Sequence, residues 1–199
     1  MIVHSLFPKP VGQFKLDRAL TENELSFIKG QKTHQNMGNT TSDDTTLFES
    51  KELKEIADFC QSAVDEYLLR IYAPRNEVSL HFTQSWANYT QPGQFHHKHA
   101  HPNSFVSGVF YVHAESEKDK IFFFKEGYEQ LKVPTENFNV YNSESWWFPV
   151  VSGDLILFPS SLTHMVETTK SEETRISIAF NTFFKGYVGQ DNELTGLHL

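Results

Sequence analysis

The spacing of apolar residues changes at Pro74, and this change constrains the fold more than any other feature of the 199-residue chain. Between Leu53 and Ile71, apolar residues recur every three or four positions, which predicts a helix with one buried stripe. After Pro74 the repeat shortens to two in five segments rich in β-branched and aromatic residues: EVSLHFTQSWANY, SFVSGVFYVHA, KIFFFKE, GDLILFP and TRISIAFNTFF. Helices followed by an uninterrupted run of strands predict an α+β, mainly β fold with mostly antiparallel sheets, one face of which the long helix covers.

The N-terminal part is predicted to contain an extended segment, two helices and a loop. Two prolines argue against a helix in the first 18 residues. The stretch TENELSFIKG begins with a capping-box pattern, Thr21 and Glu24, and ends in glycine, so a short helix is expected there. Residues 31–49 are polar and rich in turn formers, which predicts a long loop. The long helix is expected to begin near Ser50 and to end before Pro74.

The composition limits the compartment and the partners of the chain. A net charge of −8 disfavours a nucleic-acid backbone as the main partner. The single cysteine, Cys60, excludes an internal disulfide framework and fits a reducing compartment, so a cytoplasmic protein is expected. No stretch reaches the roughly 18 consecutive apolar residues that span a membrane, and the first residues lack the features of a signal peptide.

The segment GQFHHKHAHPNS carries four of the ten histidines within six positions. In a strand, alternate side chains share a face, so His97, His99 and His101 are expected on one side and His96 on the other. His99 and His101 can then present two imidazoles to one metal ion, and His164, which follows the strand GDLILFP, is the candidate third ligand. Ordinary surface histidines and a structural role for His164 are the alternatives at this point.

Glycine, proline and histidine have the spacing by which double-stranded β-helix proteins place metal ligands on two facing strands: Gly93-(x5)-His99-x-His101 and Gly153-(x5)-Pro159-(x4)-His164. Two families with this spacing resemble the chain. The cupins have a glutamate after the His-x-His, which is absent here, and prefer glycine where Ser161 stands. The iron(II)/2-oxoglutarate-dependent oxygenases, particularly the prolyl-hydroxylase-like branch and its bacterial and phage relatives, resemble the chain from Tyr89 to Asn181, in the blocks HPNSFVSGVFYV and GDLILFPSSLTHMVETTKSEETRISIAFN.

The oxygenase resemblance implies one double-stranded β-helix (jelly-roll) domain over residues 1–199, with the N-terminal segment and helices in 1–74 and the barrel core in 75–185. It implies a dioxygenase that uses Fe(II) and 2-oxoglutarate to hydroxylate an unactivated C–H bond of a small molecule or a protein side chain. The metal ligands implied are His99, His101 and His164.

Arg175 and its neighbours form the co-substrate site that the resemblance implies. In the strand RISIAFN, Arg175 and Ser177 share a polar face, and the apolar opposite face is expected to pack on the long helix. A guanidinium can bind a carboxylate through two parallel bonds, and a nearby hydroxyl can donate a third. The oxygenase family holds the distal carboxylate of 2-oxoglutarate in this way, and by similarity Tyr89, Tyr111 and Ser107 line the same pocket. Pairing of Arg175 with an internal Asp or Glu is the alternative.

One position departs from the oxygenase pattern. The family uses two histidines and one carboxylate, and His101 stands at the carboxylate position. With a neutral imidazole in place of the carboxylate, an iron site is one charge unit more positive. This difference is expected to raise the reduction potential of the site and to make oxygen activation harder. A cupin-like three-histidine dioxygenase or isomerase without 2-oxoglutarate, and a non-catalytic metal-binding protein, therefore stay open as alternatives. The loop 31–49 and the segment EGYEQLKVPTENFNVYNSESWWFP are the expected specificity elements.

Overall fold

The computed structural model describes residues 1–127, 131 and 133–199, which form two antiparallel sheets with two helices. The strands of the larger sheet lie in the order β1 (Gly12–Lys15), β9 (Asp154–Pro159), β6 (Val106–His113), β11 (Arg175–Val188), β4 (Val78–Thr90), β3 (Thr40–Ser42) and β2 (Thr33–Gln35), and β12 (Leu197–His198) pairs with β11. The strands of the smaller sheet lie in the order β5 (His96–His99), β10 (His164–Val166), β7 (Lys120–Phe124) and β8 (Ser145–Pro149). The α+β, mainly β fold predicted from the periodicity is confirmed.

A small apolar core joins the two sheets. Tyr111 of β6 and Phe158 of β9 belong to the same buried cluster as Ile121 and Phe123 of β7. The rings of Phe123 and Phe158 meet edge to face, with centroids 5.1 Å apart. This contact fixes the smaller sheet, which carries β5 and β10, against the larger one.

Helix α1 (Glu22–Lys29) begins and ends where the sequence predicts. Thr21 Oγ1 accepts a hydrogen bond from the backbone N–H of Glu24 at 3.2 Å, and the Glu24 carboxylate accepts from the backbone N–H of Thr21 at 2.7 Å. This reciprocal pair satisfies two N–H groups that a helix start otherwise leaves free. Gly30 terminates the helix, so the capping-box prediction is confirmed.

Helix α2 (Lys54–Tyr67) packs on the larger sheet through one apolar stripe. Its buried Ile56, Cys60 and Val64 share a core with Ile178 and Phe180 on the apolar face of β11, as the alternation predicts. Short 3-10 turns precede the helix, and a single π turn, Leu68–Tyr72, follows it. No helix in the described ranges is long and apolar enough to cross a membrane.

The loop predicted over residues 31–49 is partly a β-hairpin. Its second strand, β3, extends the larger sheet by pairing Thr41 with Asn88 of β4. Thr41 Oγ1 donates to the carbonyl of Ala87 at 3.0 Å, and Ser42 Oγ accepts from the Ala87 N–H at 3.0 Å. Hydroxyl groups that bond the neighbouring backbone stabilise these strands, so apolar alternation is absent and the sequence pattern does not reveal them.

Candidate metal centre

Three histidines from two paired strands lie close together. His99 of β5 pairs with His164 of β10, and His101 follows β5 by two residues. One ring nitrogen of each lies within 4.8 Å of the other two, and Nε2 of His99 is 3.0 Å from Nε2 of His101. With metal–nitrogen distances of about 2.0–2.1 Å, neighbouring ligand nitrogens lie roughly 3 Å apart, so this spacing suits a metal ion. These three residues are called the core triad below.

Backbone carbonyls fix the tautomer of two rings in the core triad. Nδ1 of His99 donates to the carbonyl of His97 at 2.8 Å, and Nδ1 of His164 donates to the carbonyl of Leu162 at 3.0 Å. A carbonyl can only accept, so both protons lie on Nδ1 and both Nε2 atoms carry a lone pair. Backbone partners of this kind orient the rings that bind metals.

Ser107 orients the ring of His101 by a hydrogen bond to its Nδ1. Its Oγ donates to Asn181 Oδ1 at 2.8 Å and is then free to accept from Nδ1 of His101, also at 2.8 Å. Ser107 is fully buried and is not among the residues that line the cavity. The resemblance had implied instead that it lines the co-substrate pocket. With all three rings oriented in this way, three Nε2 lone pairs face one another, an arrangement that a cation stabilises. The donor set therefore fits a divalent transition ion.

Burial keeps the core triad uncharged. Desolvation, aided by the neighbouring His99 ring, lowers the pKa of His164 to about 3 and the pKa of His101 to about 4. The pKa of His99 is also lowered, mainly by burial. Neutral imidazole is the form that binds metals, so these rings are ready for an ion near pH 7.

Replacing Ser107 by alanine is expected to weaken Zn(II) affinity by about 10–100-fold, because the hydrogen-bond partners of metal-binding histidines typically contribute that much. Competition with a chromophoric chelator measures the affinity. Ser104→Ala is the matched control, since the Ser104 hydroxyl belongs to the same network but bonds to serines and to the carbonyls of Val106 and Thr182 rather than to a histidine. Equal affinities in the two variants would contradict the orienting role of Ser107.

Arg175, the first residue of β11, is a buried cation beside the core triad. It is 2% exposed. Its Nη2 donates to Thr90 Oγ1 at 3.0 Å, whereas Nε and Nη1 have no partner among the described residues. A two-bond pairing with an internal Asp or Glu is therefore absent there. Unpaired donors on a buried cation are costly, so the arrangement indicates an anionic ligand.

Polar groups beside Arg175 face the same cavity. Ser177 pairs across the sheet with Asn88 of β4 and with Tyr111 of β6, and all of them line the cavity that the core triad also lines. Asn88 is 2% exposed, and its Oδ1 has no hydrogen-bond partner among the described residues. Burial raises the pKa of the Tyr111 phenol, which therefore stays neutral and able to donate.

Tyr89 is not brought to this cavity, although the resemblance implied a co-substrate role for it. It pairs with Ile176 and lies on the helix side of the sheet, where its hydroxyl donates to the carbonyl of Ile28. Because successive side chains of a strand alternate, the neighbouring Thr90 faces Arg175 instead. The hydroxyl that contacts the arginine is thus that of Thr90, which the sequence reasoning missed.

His96 lines the cavity as well, although alternation predicted it on the opposite face from His99. On β10, His164 pairs with His99 and Val166 pairs with His96. These two pairs are three residues apart on β5 but only two residues apart on β10, so β5 contains a bulge. This bulge turns His96 towards the cavity, where its ring stacks on His99 with centroids 4.8 Å apart. Burial is the main reason that the pKa of His96 falls to about 2. No feature of the sequence marks the bulge.

The part of the chain that contains this cavity is similar to a known protein family. Residues 84–181 match the family model described as "Putative 2OG-Fe(II) oxygenase". No curated protein matches the chain in sequence. Among solved structures, an oxidoreductase of the 2OG-Fe(II) oxygenase family from Burkholderia pseudomallei is 10% identical, with a TM-score of 0.56 over 79% of this chain and 74% of that one.

HygX from Streptomyces hygroscopicus, solved with nickel, 2-oxoglutarate and hygromycin B, is 14% identical, with a TM-score of 0.58 over 87% of this chain and 82% of its own. Oxalate decarboxylase from Bacillus subtilis reaches a TM-score of 0.43 and is covered over 28% of its chain, a similarity too low to carry an argument. At these identities the solved structures show the fold alone. The match of residues 84–181, which include the core triad and Arg175, confirms the resemblance to the 2OG-Fe(II) oxygenases that was stated from the sequence.

Proposed function

We propose that this protein is an Fe(II)- and 2-oxoglutarate-dependent oxygenase that hydroxylates its substrate. One observation carries the proposal: the unpaired donors of buried Arg175 belong to the same cavity as the core triad. A ligand with a metal-binding keto acid at one end and a carboxylate at the other satisfies both groups, and 2-oxoglutarate has these two ends. HygX, which shares the fold, was solved with nickel and 2-oxoglutarate, which supports the proposal.

Each group in the cavity then has a defined task. His99, His101 and His164 hold the ion through Nε2. Fe(II), when bound, supplies the redox chemistry with oxygen that protein side chains lack. Arg175 binds the distal carboxylate through the N–H groups of Nε and Nη1, which have no partner in the described part of the chain, and Ser177 donates a further hydrogen bond.

Apolar side chains complete the cavity and limit the entry of water. Val109, Ile121 and Ala179 line it between the polar groups. A lowered local dielectric strengthens the contact between a guanidinium and a carboxylate. Exclusion of water by these side chains would also limit side reactions at the site.

The β2–β3 hairpin lies beside the cavity, where it can contact the substrate, a small molecule or a protein side chain. The backbone N–H of Phe95, directly before β5, donates to the carbonyl of Gly38 in the hairpin at 3.1 Å. Asn39 Nδ2 reaches Thr90 Oγ1 at 3.4 Å, next to Arg175. Of the second expected specificity segment, residues 128–130 and 132 lie outside the described residues.

Replacing His101 by aspartate is expected to keep metal binding and to raise the turnover of 2-oxoglutarate to succinate in the absence of substrate. The core triad is made of three neutral rings, so a carboxylate at this position lowers the charge of the loaded site by one unit and its reduction potential with it. Succinate release per bound iron measures the effect. Slower turnover per bound iron than in the original protein would contradict the charge argument.

Oxygen-dependent conversion of 2-oxoglutarate tests the proposal itself. With Fe(II), 2-oxoglutarate and oxygen, the protein is expected to form succinate above the protein-free rate, and His164→Ala to lose this activity. Metal binding without 2-oxoglutarate binding or consumption would instead favour a three-histidine enzyme that needs no 2-oxoglutarate, or a non-catalytic metal-binding protein.

A further inference from the structure

A second group of histidines lies beside the core triad on β5, the edge strand of the smaller sheet. One ring nitrogen each of His96, His97 and His99 lies within 4.8 Å of the other two. Their ring centroids are 4.6–5.2 Å apart, against 4.4–5.0 Å in the core triad. The two groups are therefore equally compact. His96, His97 and His99 are called the edge triad below.

The edge triad contains one buried ring nitrogen that has no partner among the described residues. Nδ1 of His97 is buried and makes no hydrogen bond with any described residue. In the core triad, by contrast, each Nδ1 is occupied by a protein oxygen and only the Nε2 atoms are free. An orphaned buried imidazole nitrogen is a group for which a metal ion supplies the missing partner.

His99 belongs to both triads and can serve only one ion at a time. Its Nδ1 donates to the carbonyl of His97, so Nε2 holds the one lone pair that the ring can give to a metal. An ion in the edge triad therefore leaves the core triad with two ligands. The two positions exclude each other.

We propose that the edge triad is a second, weaker binding site for a divalent transition ion, and that it holds the ion in exchange with the core triad. The edge triad is weaker because a protein oxygen on Nδ1 orients every ring of the core triad, whereas the hydrogen bonds of the described residues provide no such oxygen for the rings of His96 and His97. This site goes beyond the proposed oxygenase and does not depend on 2-oxoglutarate.

Zinc titration of untagged protein tests the inference. The protein itself is expected to bind one equivalent of Zn(II) tightly. The double variant His101→Ala/His164→Ala keeps the edge triad and is expected to bind one equivalent with a Kd roughly 10²–10⁴-fold higher, the combined loss for two rings without orienting partners. Adding His97→Ala to this variant is expected to remove that binding. Glutamine in place of alanine at positions 101 and 164 provides a second version of the double variant that fills the same space.

Equal zinc binding by the double and triple variants would overturn the second site, and two tight equivalents in the unmodified protein would overturn the mutual exclusion. The variant His96→Ala/His97→Ala is the converse control and is expected to keep one tight equivalent. None of these outcomes depends on 2-oxoglutarate, so failure of the second site and failure of the proposed oxygenase are told apart.

Discussion

Replacing Arg175 by methionine is expected to weaken 2-oxoglutarate binding by about 2–5 kcal/mol, the usual cost of removing one partner of a buried charged contact. Fe(II) affinity is expected to stay unchanged, because the guanidinium does not belong to the core triad. The free energy of unfolding of the ligand-free protein is expected to hold or to rise by up to about 4 kcal/mol, since methionine removes a buried charge with unpaired donors. Anaerobic calorimetry and urea unfolding measure the two quantities.

A purely structural arginine would behave in the opposite way. Its loss would lower the free energy of unfolding and leave 2-oxoglutarate binding in place, and that result would contradict the co-substrate role. Arg70→Met is the matched control, since Arg70 is exposed and pairs with Glu66 at the end of α2. This variant is expected to change neither quantity.

Replacing His164 by alanine is expected to lower metal affinity by roughly 100- to 1,000-fold. Binding of a structural zinc ion by four ligands is worth about 10–16 kcal/mol, so one ligand contributes about 2.5–4 kcal/mol. His164 is the most buried ring of the core triad and the Leu162 carbonyl orients it, so the variant loses a ligand that is already held in position. Competition with a chromophoric chelator measures the affinity, and residual weak binding is expected from the edge triad.

His81→Ala is the control for this variant. His81 lies on β4, outside both triads, and its removal is expected to leave metal affinity unchanged. Stoichiometric, tight metal binding by His164→Ala would show that the core triad is not the metal centre.

The core triad could be predicted because it depends on spacing alone. His99 and His101 are separated by one residue, and the two glycines that precede the ligand strands, Gly93 and Gly153, have positive φ angles of 80° and 87°. Glycine adopts that backbone more readily than other residues, so Gly93 and Gly153 mark the turns that precede β5 and β9, the strand before His164. Arg175 could be predicted for the same reason, as one polar member of an alternating strand.

Other features of the site depend on strand pairing and hydrogen bonds, which the spacing of residues in the sequence does not show. The bulge in β5 changes the face of His96 through a one-residue shift in pairing with β10. The choice between Tyr89 and Thr90 depends on which face of β4 meets Arg175, which is set by the register of β4 against β11. The β2–β3 hairpin is held by hydroxyl bonds rather than by apolar burial, so hydrophobic periodicity does not reveal it.

Under the proposed function, one cavity holds a metal ion through the core triad and 2-oxoglutarate through Arg175. Anaerobic titration of the Fe(II) protein with 2-oxoglutarate tests it, through the weak visible charge-transfer band that a keto acid bound to iron produces. The band is expected to saturate at one equivalent of 2-oxoglutarate, and both Arg175→Met and His164→Ala are expected to lose it at that concentration. An iron-loaded protein that shows neither the band nor heat of binding with 2-oxoglutarate in large excess would contradict the claim.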